Sequence, residues 1–73
     1  VSQPLQDDEM NKDELIALLE MTLERENELL RTYVIASERI HNNAALKLRL
    51  INFAEGNAKR TKQLIDEISI LKS

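Results

Sequence analysis

The sequence predicts an all-α chain: an antiparallel two-helix hairpin, with helices at about 12–40 and 44–72, that dimerises into a four-helix bundle. Three observations carry this. Leu, Glu, Lys and Arg dominate a chain with one Gly and one Pro, the composition of helix formers. Apolar residues recur in alternating steps of three and four. A single polar connection, His41-Asn42-Asn43, separates two such patterns.

Residues 1–11 read as a flexible acidic tail, with Pro4 and the run Asp7, Asp8, Glu9 and no apolar period. The hairpin domain is expected over 12–73. Its first helix opens on several agreeing signals. Asn11 is placed to cap and Glu14 to complete a capping box. Asp13 adds negative charge to the first turn, and Met10 and Leu15 occupy the positions of a hydrophobic staple. The apolar seam then runs through Ile16, Leu19, Leu23, position 26, Leu30, Tyr33, position 37 and Ile40. Leu15, Leu18, Leu29 and Ala36 form a second stripe beside it, so the apolar face is wider than one neighbouring helix covers.

Asn at the connection tolerates the left-handed conformation that ends a helix, and Asn43 is placed to cap the next one. So short a link makes the helices antiparallel neighbours. The second helix carries a seam of Leu46, Leu50, Phe53, Asn57, Leu64, Ile68 and Leu71, flanked by Ile51, Ala54, Ala58, Thr61 and Ile65. Gly56 lies within it, and with Ala54 and Ala58 nearby it is expected to permit close helix approach rather than to kink the chain. The residues expected to pack the core and the dimer are Leu19, Leu23, Leu30, Tyr33, Leu50, Phe53, Leu64 and Ile68.

Size argues for association. A core below about 70–80 residues supplies only ~3–5 kcal/mol without a staple. The 73-residue chain has no cysteine for a disulfide and one histidine, His41, for a metal. Two hairpins would cover both apolar stripes, so a homodimer or higher homo-oligomer is expected. Charge fits this pairing. The first helix has four basic and seven acidic residues, net −3; the second has six basic and three acidic, net +3. The outer faces or the acidic tail remain for an unidentified protein partner.

Both seams turn polar midway. Glu26 interrupts the first; Asn57, Arg60 and Thr61 interrupt the second. Folding about residue 42 or 43 brings these levels together. A buried Glu needs a partner or becomes neutral. Arg60 can grip it with a planar fork, and Asn57 can take a remaining lone pair. The layer is expected to fix register and oligomer state.

Glu24, Arg31-Thr32-Tyr33, Ala36-Ser37, the short turn, Phe53-Ala54-Glu55 and Lys59-Arg60 span a little over half of the chain. This stretch resembles one half of a ferritin-like, rubrerythrin-related four-helix bundle. In metal-binding members a Glu of the first helix joins a Glu-x-x-His pair on the second. The resemblance sets Glu24 at the first Glu, with Asn57 and Arg60 where Glu and His stand. Asn57-Ala58-Lys59-Arg60 is not a ligand motif, and its positive side chains oppose a cation. The seam itself favours Glu26 over Glu24 as the inward carboxylate. The resemblance thus implies the fold and a dimeric bundle with the di-iron chemistry lost.

The function expected is a non-enzymatic oligomerisation or interaction module without cofactor. One alternative is a ferritin-like protein with a residual metal or small-ligand site, with Glu24, Glu26 and Glu55 as its available carboxylates. The other is an RNA-binding hairpin dimer using Lys47, Arg49, Lys59, Arg60 and Lys62. The pI near 5.1 and the lack of interleaved aromatics count against nucleic acid. No residue pair supplies a nucleophile and its base, since Ser37 and Thr61 have no histidine in reach. No stretch approaches the ~18 apolar residues of a membrane span, and no basic segment precedes an apolar run. A cytoplasmic setting is expected. Val1 in place of Met suggests a processed form or a piece of a longer protein.

Overall fold

A computed structural model of the chain describes residues 9–73, and among these all regular structure is helical. Helix α1 spans Lys12–Glu38 and α2 spans Ala44–Lys72. Most of the tail expected over 1–11 lies outside the described residues.

Helix α1 begins where its signals converge. The Asn11 side chain accepts from the Glu14 backbone N–H at 2.8 Å, and Glu14 accepts from the Asn11 N–H at 3.0 Å. Two of the helix's orphan donors are thereby satisfied. At α2, Asn43 accepts from the Leu46 N–H at 3.0 Å.

The end of α1 differs from expectation. The helix stops at Glu38, two residues before Ile40, and Arg39 caps it with φ −97° and ψ 0°. No described residue has positive φ, so no left-handed Asn terminates it. The chain instead tightens its last turn, with Arg39 N donating to Ala36 O and Ile40 N to Ser37 O. The connection therefore has five residues, 39–43.

Cross-helix pairs run in opposite order along the two helices. Glu20 meets Lys72, Glu26 meets Asn57 and Arg60, and Tyr33 meets Phe53. This is an antiparallel hairpin. Its α1 seam uses the expected positions. Its α2 seam keeps the expected Leu46, Leu50, Asn57, Leu64, Ile68 and Leu71, all buried or half-buried, but takes Ala54 in place of Phe53 and adds Thr61. Phe53 is 51% exposed on the rim, where its ring meets Tyr33 edge-on at 5.5 Å. Small side chains let the backbones approach, and the large ring cannot enter that gap.

Gly56 does not serve that approach. A Cβ there would touch only the Arg60 guanidinium, at 3.6 and 3.7 Å, and nothing of α1. Helix α2 runs through it as one element.

Candidate functional site

The polar layer sits mid-hairpin, on the facing sides of both helices. Asn57 is 2% exposed and donates its Nδ2 to Glu26 Oε1. Arg60 Nε donates to Glu26 Oε2 at 3.0 Å. The Glu26 side chain is 15% exposed and that of Arg60 is 54% exposed. Arg60 therefore reaches in from the edge instead of lying in a buried layer. The Asn57 bond lowers the Glu26 carboxyl pKa most; burial pushes it back up, and the Arg60 bond and charge push it down again, so that it stays below its ordinary value of 4.5. The carboxylate stays charged because both its oxygens are met.

Two details of the layer were not legible in the sequence. Thr61 is buried but donates to Ala58 O of its own helix at 2.7 Å, so it takes no part across the gap. Asn57 Oδ1 is buried and receives no donor. Such an orphan acceptor costs ~1–3 kcal/mol. Amide orientation decides it: the side chain turns its nitrogen to the carboxylate, and the oxygen is the atom left without a donor.

Two broad faces flank the seam. On one, Leu30, Val34, Ser37, Ile51, Ala54 and Ala58 line a groove of about 450 Å³. One heptad on, Leu23, Ile65 and Ile68 continue it between Glu20 and Lys72, which pair at 2.9 Å. On the other face, Leu29, Tyr33, Phe53, Gly56, Asn57 and Arg60 line a cavity of about 340 Å³. The polar layer opens on this second face alone, through Arg60. Neither terminal nitrogen of that guanidinium donates to a described residue.

The carboxylates considered as metal ligands are not brought together. Glu24 and Glu55 stand exposed, and Glu26 is engaged by Asn57 and Arg60. Among the described residues no three of His, Asp and Glu converge. His41 is exposed at the connection. Ser37 is buried, and its hydroxyl donates to Val34 O at 2.8 Å. No described helix is long and apolar enough to cross a membrane. Comparison with known protein families, curated proteins and solved structures finds no match to this chain.

Proposed function

We propose that the chain is a non-enzymatic association module whose hairpin pairs with a second copy to form a four-helix bundle. One observation carries the reading. Ala54 and Ile68 are the only buried apolar residues among those described, while eleven large apolar side chains are exposed, from Met10 to Ile70. Exposed apolar surface on this scale marks a surface that another chain covers. With no cysteine to staple it, a hairpin this small gains its core by association. The ferritin-like resemblance supports the same architecture, with the polar layer standing where that family holds metal. In this reading Glu26, Asn57 and Arg60 set register and bind no cation.

Nucleic acid is disfavoured by the net charge of −3 and the pI near 5.1. Of the α2 cations considered for it, Arg60 is engaged by Glu26. Catalysis is disfavoured because the Ser37 and Thr61 hydroxyls each close on a carbonyl of their own helix. The absence of cysteine suits a reducing, cytoplasmic setting. Sedimentation equilibrium across a concentration series tests the proposal. Twice the chain mass at micromolar concentration is the expected result. A single-chain mass up to millimolar concentration would reject it.

A further inference from the structure

The two faces are unequal in what they offer a second copy, and the rims show why. Heptad spacing puts Glu24, Arg31 and Glu38 of α1, with Glu55 and Lys62 of α2, along the edges of the Val34–Ile51–Ile65 face. Levels follow from observed pairs. Tyr33 beside Phe53 sets Arg31 level with Glu55, and Glu26 beside Arg60 sets Glu24 level with Lys62. Among the described residues Arg31, Glu24 and Glu55 form no ion pair, and Lys62 is met only by Asp66 of its own helix. A two-fold axis parallel to the helices would bring Arg31 onto the other copy's Glu55 and Glu24 onto its Lys62. A two-fold axis across the helices would bring Glu24 onto Arg31 and Glu55 onto Lys62. Unlike charges meet in both orientations.

The opposite face lacks this property. The same spacing puts Arg25 and Arg39 of α1 and Arg49 of α2 along its outer edges, with no acidic residue among those positions; Glu67 stands further in, one heptad after Arg60. Arg60 opens onto its middle. A second copy there would set like charges together and bury a guanidinium whose carboxylate is already shared. The first face is also large enough. Helices of 27 and 29 residues side by side, ~1.5 Å per residue long and ~10 Å wide each, give a footprint near ~800 Å², the usual size per partner.

Resting on the pairing proposed above, we infer that a second copy of this chain docks on the Val34–Ile51–Ile65 face and leaves the Arg60 face in water. Sedimentation velocity on paired variants tests the assignment. Ile51→Glu buries a charge in the interface and weakens association at least ~100-fold, whereas Leu29→Glu on the other face changes it less than ~5-fold. Because folding is coupled to pairing, helicity falls with mass when a variant dissociates and returns at higher concentration, whereas a variant that cannot fold stays without helix at every concentration. Should Ile51→Glu unfold the chain, the rim decides. Arg31→Glu, at an exposed position, weakens association several-fold; adding Glu55→Arg restores it if the two-fold axis is parallel to the helices and adding Glu24→Arg restores it if the axis crosses them, whereas Arg25→Glu leaves it no weaker. The reverse ranking of the two faces overturns the assignment while leaving the pairing intact. A wild-type chain that stays single at every concentration overturns both.

Discussion

Helix α2 buries two polar side chains one turn apart, Asn57 and Thr61, and they do different things. Thr61 turns its hydroxyl to Ala58 O within its own helix. It would make the same bond if α1 slid or departed. Ser37 on α1 behaves alike, bonded to Val34 O. Asn57 instead bonds Glu26 across the gap, and Arg60 closes the same carboxylate from the rim. A one-turn slip would strand that carboxylate in a half-buried site. The lesson is that a buried polar residue specifies register only when its bond crosses between elements. Burial or polarity alone does not reveal which kind it is.

The largest effect comes from removing the crossing bond. Asn57→Leu leaves Glu26 held from one side only, and should cost ~2–3 kcal/mol in urea unfolding at fixed concentration. Replacing both partners tests the other half of the comparison. Glu26→Leu with Asn57→Leu deletes the buried charge and the orphan Oδ1 together, so stability should return to within ~1 kcal/mol of wild type or exceed it. A double variant no more stable than Asn57→Leu would show that the crossing pair supplies stability and not register.

Acid sharpens the same contrast. The Glu26 pKa is lowered on folding, so its contribution is fully present above the ordinary value of 4.5 and is lost as pH falls through the folded value. Unfolding midpoints below pH 4.5 should therefore drop more steeply in wild type than in Glu26→Gln. Equal slopes would show that the carboxylate gains nothing from its partners. Gly56→Ala comes next. Its new Cβ meets only the movable end of Arg60, so the substitution should add about 1 kcal/mol from helix propensity. The smallest effect is at the side chain bonded within its own turn. Thr61→Val should shift stability by no more than ~1 kcal/mol and leave the association state unchanged, because no cross-helix bond is lost.

Much of this was readable in the sequence for a plain reason. Spacing of three and four locates the α1 seam, Asn11 and Asn43 announce both helix starts, and folding the hairpin about its turn puts Glu26 against Asn57 and Arg60. The α2 seam differs from its pattern at one position, because side-chain hydrophobicity favours Phe53 as the inward residue. Two closely packed helices instead favour Ala54 and Thr61 there and leave the aromatic on the rim. The end of α1 was placed late because Ile40 continues the apolar period although Arg39 already caps the helix. The orphan oxygen of Asn57 depends on which way one amide turns, and the contrast between the faces depends on the rotation of α2 about its axis. Neither is fixed by pattern alone.

The central claim is that the hairpin cannot shelter its own apolar flanks and folds as half of a larger core. The midpoint of thermal unfolding, followed by circular dichroism over a hundredfold dilution, tests it most directly. Folding coupled to pairing predicts a midpoint that falls by roughly 10 °C as the chain is diluted. A sharp melt at one unchanging temperature would contradict it.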